Sequence, residues 1–236
     1  MYKRIMLKLS GEALSGEKGY GLDQESVRAV GEEVRKVTEA GVQLCVVIGG
    51  GNFWRGRTGT EIDRTKSDQI GMLATVMNCV YVAEIFRGMG MPAEVYSSFE
   101  VGPVTKLFKK EDAVADLEAG KIVFCAGGTG HPFFSTDMGT MLRANELGCE
   151  IVLMAKNVDG VYDKDPSKFA DAVKFDSMTY QEILDRNLKV IDLTAAAMGR
   201  ETGLPSKLFA LKEPGSILRA VRGESVGTFV SNENNH

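Results

Sequence analysis

The chain has 236 residues, 44% of them hydrophobic and 25% charged, which fits one α/β domain with a sizeable core. Its 28 basic and 32 acidic residues are mixed along the chain and leave a formal charge of −4, so no basic domain exists to bind nucleic acid by neutralising phosphates. No uninterrupted apolar run approaches the roughly 20 residues of a membrane-spanning helix, and the apolar stretch before Ser10 and Glu12 is too short for a signal peptide, so a cytoplasmic protein without a membrane partner is expected.

Residues 4–9 read as a buried strand with Lys8 near its end, followed by Ser10 and Gly11. Lys8 can set a compact cation on phosphate oxygens, or it can be a solvated strand-end lysine. Val27, Val30, Val34 and Val37 then recur at helical spacing, and Gly41 ends that helix. Residues 43–48 form the next strand and run into Gly49, Gly50 and Gly51, whose entropic cost is better explained by close backbone approach to a ligand than by a simple turn. Arg55 is placed to reach a phosphate, or to sit in water.

A longer helix is expected from near Thr65, with an apolar stripe of Ile70, Leu73, Met77, Val80 and Phe86. Asp68, near its start, either serves the helix dipole or accepts hydrogen bonds from ribose hydroxyls. Strands at 93–96 and 122–126 follow. The second enters the segment AGGTGHPFFSTD (126–137), where Gly127, Gly128 and Gly130 let amides approach an anion and Ser135, Thr136 and Asp137 stand at a helix start. Asp137 either caps that helix or orients a reacting phosphate or its magnesium ion. Pro132, Phe133 and Phe134 are pocket wall or plain core, and His131 either touches ligand or faces solvent.

A fifth strand is expected at 151–155, then a turn-rich stretch in which Asn157, Tyr162 and Asp165 suit a nucleoside site or ordinary turns. Helices near 179–185 and 193–203 and a closing strand at 228–230 complete the chain. The alternation implies a largely parallel sheet covered on both faces, with ligands at the carboxyl ends of the strands. Cys45, Cys79, Cys125 and Cys149 lack metal-type spacing and read as reduced core thiols. There is no Walker-type loop, no dinucleotide fingerprint and too little histidine for a histidine relay, which leaves phosphoryl transfer by lysine, backbone amides and a nucleotide-borne metal.

Five segments now combine in one order over nearly the whole chain: Lys8 to Leu14, Gly49-Gly-Gly-Asn-x-x-Arg55, Asp68 with Gly71-Met-Leu-Ala-Thr75, Gly128-Thr-Gly-x-Pro-Phe-Phe-x-Thr-Asp137, and Val158-Asp-Gly-Val-Tyr162 with Asp165-Pro166. Together they resemble the bacterial uridylate (UMP) kinases of the amino acid kinase superfamily. The resemblance implies a three-layer αβα sandwich with a central, mostly parallel sheet. It implies one domain spanning 1–236, with an N-terminal lobe of about 1–150 that binds UMP and a C-terminal lobe of about 151–230 that binds ATP.

The implied reaction is ATP + UMP giving ADP + UDP, in pyrimidine nucleotide synthesis, with Mg2+ carried by ATP and no metal ligands of the chain's own. Lys8, Asp137, Arg55 and Asp192 would be catalytic. Lys8, Leu9, Ser10, Gly11, Gly51, Arg55, Asn157, Tyr162 and Asp165 would hold ATP. Gly50, Asp68 and the run Thr129, Gly130, His131, Pro132, Phe133, Phe134, Ser135 and Thr136 would hold UMP. His131 stands where the family often has Asn. The resemblance further implies a homohexamer, UTP as feedback inhibitor and GTP as an effector acting near Gly16, Glu17, Lys18, Gly19, Tyr20 and Gly21. The rival expectations are a superfamily phosphotransferase for a carboxylate or carbamate, and a non-catalytic nucleotide sensor.

Overall fold

Runs of five or six apolar residues are too short to be helices that bury one face, and in a parallel sheet both of their faces are covered. The computed structural model describes residues 1–55, 61–164 and 166–233. In it β1 (Arg4–Leu9), β2 (Gln43–Ile48), β3 (Ala93–Ser97), β4 (Lys106–Leu107), β5 (Ile122–Ala126) and β6 (Ile151–Lys156) alternate with α1 (Gln24–Glu39), α2 (Arg64–Gly88), α3 (Lys110–Glu118) and α4 (Thr136–Glu146). A two-stranded ribbon, β7 (Val161–Tyr162) with β8 (Lys174–Phe175), precedes β9 (Ser177–Thr179), α5 (Tyr180–Asp185), α6 (Leu193–Thr202), β10 (Ser206–Ala210), α7 (Ser216–Val221) and β11 (Thr228–Ser231).

Nine strands form one sheet in the order β4-β3-β5-β2-β1-β6-β10-β11-β9, with every neighbouring pair parallel except β10 and β11. Residues 1–150 therefore build one half of the sheet, as far as β1, and the later strands build the other. The period of two in each strand sorts its residues between two cores. Ile5, Leu7 and Leu9 pack with α1, α2 and α7, whereas Met6, Val152 and Met154 pack with α3, α4, α5 and α6. The result is the αβα sandwich.

Helix starts follow the side chains that can accept an orphan N–H. Asp23, Asp63 and Ser135 accept from the third residue on, at 2.8, 3.2 and 3.1 Å, while Thr179 and Glu182 close a reciprocal capping box. Ser135, and not Asp137, thus caps α4. The expected stripe on α2 is only half right. Phe86 is buried with Val76, Cys79, Val82 and Ala83, but Ile70, Leu73 and Met77 are 39%, 48% and 50% exposed. The buried face of the first half of α2 carries Ser67, Ala74 and Thr75 instead, because there the helix crosses loops that demand small side chains. By length and hydropathy α2 could cross a membrane, although 44% of its most apolar stretch is buried within the fold.

All four cysteines are buried, with Cys45 and Cys149 in sulfur contact at 3.8 Å. Burial pushes the Cys79 thiol up to about 12 and raises those of Cys45 and Cys125.

Candidate active site

Four adjacent strands, β5, β2, β1 and β6, end at the same rim of the sheet, where Lys8, the loops after β2 and β5, the first half of α2 and the segment 187–194 enclose a cavity of about 660 Å³. Lys8 is an even-numbered residue of β1, so it points to the same face as Met6 and meets the first turn of α4. There its Nζ lies 3.1 Å from Asp137 Oδ1, with the two side chains only 11% and 12% exposed. Lys156 Nζ approaches the other carboxylate oxygen at 3.4 Å, and the Asp192 N–H donates to it at 3.3 Å. Burial alone would raise the Asp137 pKa, but the charges of Lys8 and Lys156 hold it well below the usual carboxylate range. Lys156 is pushed down, chiefly by burial and further by Lys8, with Asp137 offsetting part of the effect.

The glycine loop after β5 forms one wall. Gly127 has φ +77°, and a Cβ there would stand 2.8 Å from the Phe99 ring, so only glycine fits. Its N–H donates to Thr75 Oγ1 of α2 at 2.9 Å. Gly128, Thr129, His131, Phe134, Ser135 and Thr136 line the cavity. Gly130, Pro132 and Phe133 do not line it, and Phe133 sits in the left-handed region at φ +72°. Its N–H donates to Asp68 Oδ2 at 2.9 Å, and Arg64 Nε reaches both oxygens of that carboxylate at 2.9 Å. Asp68 lies beyond the first turn of α2, so the dipole reading of it falls away.

Gly50 and Gly51 form the opposite wall. A Cβ on Gly50 would come within 2.7 Å of the Gly71 carbonyl of α2. The close approach that requires glycine at Gly50 is to the chain's own helix, while Gly50 and Gly51 also face the cavity.

The amino acid kinase family profile matches residues 3–213. The chain belongs to the amino acid kinase family. It is 45% identical over 235 residues to a uridylate kinase of Pediococcus pentosaceus, a match covering 98% of each chain. Its structure is similar to that of UMP kinase from Bacillus anthracis, at 33% identity and a TM-score of 0.95 over 98% of this chain and 97% of that one. It is also similar to UMP kinase from Ureaplasma parvum, at 30% identity and a TM-score of 0.92 over 98% and 100%.

In this amino acid kinase the residues expected to hold ATP are spread more widely. Leu9 is wholly buried, so its side chain serves the core and only its backbone can meet a ligand. Ser10 and Gly11 lead into a short 3-10 turn, Gly11–Leu14. Arg55 lies outside the cavity wall and pairs with Glu12 at 2.5 Å. Asn157 faces a second cavity of about 650 Å³, which it shares with Glu12, Gly16, Glu17, Leu211 and Lys212. The first residues of the 16–21 segment therefore adjoin the expected ATP side. Tyr162 lines neither cavity and donates its hydroxyl to Asp159 at 2.7 Å. Asp165 lies outside the described residues.

Asp192 lines the main cavity, but its carboxylate also caps α6, accepting from the N–H of Thr194 at 3.0 Å. Sequence reasoning missed Lys156, Arg64 and Thr75. The signal for Lys156 was present: Val152, Met154 and Lys156 alternate on one face of β6, and β6 runs in register with β1 so that Lys8 pairs with Met154.

Proposed function

We propose that the chain is a UMP kinase, transferring the terminal phosphoryl group of ATP to UMP. The observation that carries this is one buried corner in which two lysines converge on Asp137, opening onto a glycine loop at a helix N-terminus and an acidic residue on the facing helix. Phosphoryl transfer needs little covalent help from protein and much charge placement. Lys8 stabilises charge developing on the transferred group, Asp137 holds the Lys8 and Lys156 ammoniums apart and oriented, and Lys156 serves the donor side. The amides of 128–130 and the N-terminus of α4 take the UMP phosphate, and Asp68 takes the ribose hydroxyls.

The N-terminal half of the sheet supplies the UMP side, and the second cavity, with Asn157, suits the ATP nucleoside. A divalent cation, Mg2+ on this reading, arrives on the nucleotide. Asp137 and Asp192, which line the cavity, are the carboxylates that would meet such a cation. The reading includes a cytoplasmic homohexamer, inhibited by UTP and responsive to GTP near 16–21. The exposed Ile70, Leu73 and Met77 on α2 support self-association, since such a stripe favours burial against another copy.

A coupled ADP-release assay across UMP, CMP, aspartate, acetylglutamate and carbamate tests the reading, with turnover expected on UMP. Turnover only on a carboxylate or carbamate would sink it in favour of the rival phosphotransferase, and no turnover at all would favour the nucleotide sensor. In the same assay Asp68→Asn should raise the KM for UMP about 10- to 100-fold with a smaller effect on kcat, the loss of a hydrogen bond to a charged acceptor. An unchanged KM would remove Asp68 from the UMP site.

Because Lys156 is held below an ordinary lysine's value of about 10.4, its charge is lost as pH rises through that lowered value. The kcat profile should therefore fall on the alkaline side before free lysine titrates, and Lys156→Arg should flatten that limb. An identical limb in the arginine variant would assign it to another group.

A further inference from the structure

Asn52 and Asn78 are 1% and 0% exposed and face each other between the Gly49–Gly51 turn and α2. Asn52 Nδ2 donates to Asn78 Oδ1 at 3.0 Å, and Asn78 Nδ2 donates back to Asn52 Oδ1 at 2.8 Å. Their other donor hydrogens are used as well. Asn78 donates to the Gly49 carbonyl at 2.7 Å and Asn52 to the Gly21 carbonyl at 2.7 Å, while the Gly21 N–H returns a bond to the Asn52 carbonyl at 3.0 Å. All four amide hydrogens of the pair are thus satisfied away from water. A buried amide costs stability unless its bonds are made, and aliphatic side chains would fill the same space without that cost. What the amides add is geometry.

The geometry points to the Asn52–Asn78 pair as the positioning element that sets the Gly49–Gly51 turn against the glycine loop at 127–130 during phosphoryl transfer. Three residues apart on α2, Thr75 accepts the Gly127 N–H and Asn78 donates to the Gly49 carbonyl, so one rigid helix fixes the spacing of both loops. The Gly49 N–H is held by the Leu9 carbonyl at 3.0 Å, and Gly11 packs so tightly that a Cβ there would overlap both Asn52 Oδ1 and the Gly49 carbonyl. The turn that follows Lys8 is therefore seated on the same amide. Through its two bonds to Gly21, Asn52 also ties the 16–21 segment to this frame. Neither asparagine lines the cavity, so both act through the loops they hold.

The inference rests on the UMP kinase reading. The test is steady-state kinetics on the full chain at saturating ATP, with UMP varied, well below each variant's unfolding midpoint. Asn78→Asp keeps the shape but turns an acceptor toward the Gly49 carbonyl. It should lower kcat about 100-fold, the effect of displacing reacting groups by roughly an ångström, with KM for UMP within about threefold of wild type because Asp68 and Thr75 stay in place. Asn78→Ser keeps a hydroxyl donor and admits water, so its kcat should fall less, and it decides by the same criterion if the aspartate variant does not fold. Folded variants with a lower unfolding midpoint but wild-type kcat would overturn the inference, leaving the pair purely structural. A wild-type chain without UMP-dependent turnover would instead overturn the reading beneath it.

Discussion

Replacing Lys8 by alanine is expected to lower kcat for UMP phosphorylation about a thousandfold, a loss of some 4 kcal/mol of transition-state stabilisation. The lysine is fixed by β1, which is hydrogen-bonded on both sides by parallel strands, and by the ion pair to Asp137 at 3.1 Å. The fold should hardly notice the change, because Asp137 keeps Lys156 as a partner. Urea unfolding and steady-state rates on the same preparation check both halves of the expectation, and a variant with near-wild-type kcat would refute the role given to Lys8.

Asp137→Asn should show the opposite balance. It leaves two ammonium groups in one buried corner without their counter-charge, and loss of one member of a buried ion pair costs about 3–5 kcal/mol. The turnover loss should be about a hundredfold, since Lys8 is still present but no longer held in place. The sign of the pH dependence follows from the direction of the shift. Asp137 is held below the unfolded carboxylate value of about 3.9, so its contribution is complete above that pH and is lost as pH falls through the lower folded value. The stability gap between wild type and Asp137→Asn should therefore shrink in acid. A gap that stays constant from neutral pH to about pH 3, below the unfolded value, would show that the carboxylate charge is not what matters.

Much of this fold was legible because burial on both faces leaves uninterrupted apolar runs. The six expected strands agree with β1, β2, β3, β5, β6 and β11 to within a residue. β10 escaped because Lys207 interrupts its run. That lysine is 5% exposed and carries its ammonium to the Glu224 carbonyl at 2.7 Å, a long side chain hiding its stem in the core. The site was legible where glycines and a strand-end lysine coincide, and opaque where a role depends on which face a residue takes. Lys156 reads as a solvated strand end until the register of β6 against β1 is known. Asn157 and Tyr162, close in sequence, part company because one stays just past the carboxyl end of β6 while the other turns into the β7–β8 ribbon. The stripe on α2 misled because periodicity marks an apolar face without saying what lies against it.

The Asp68 carboxylate, already serving Arg64 and the Phe133 N–H, has a consequence for selectivity. On the UMP kinase reading, a ribose does not meet idle acceptors; it competes with donors the chain itself supplies. One of those donors belongs to a residue whose φ of +72° costs about 1–3 kcal/mol and is braced by the bond in question. On that reading, displacing it would release the brace on the Phe133 backbone as the sugar binds. Discrimination then depends less on shape than on winning that exchange, and a sugar with one hydroxyl fewer is a poorer competitor even when it fits.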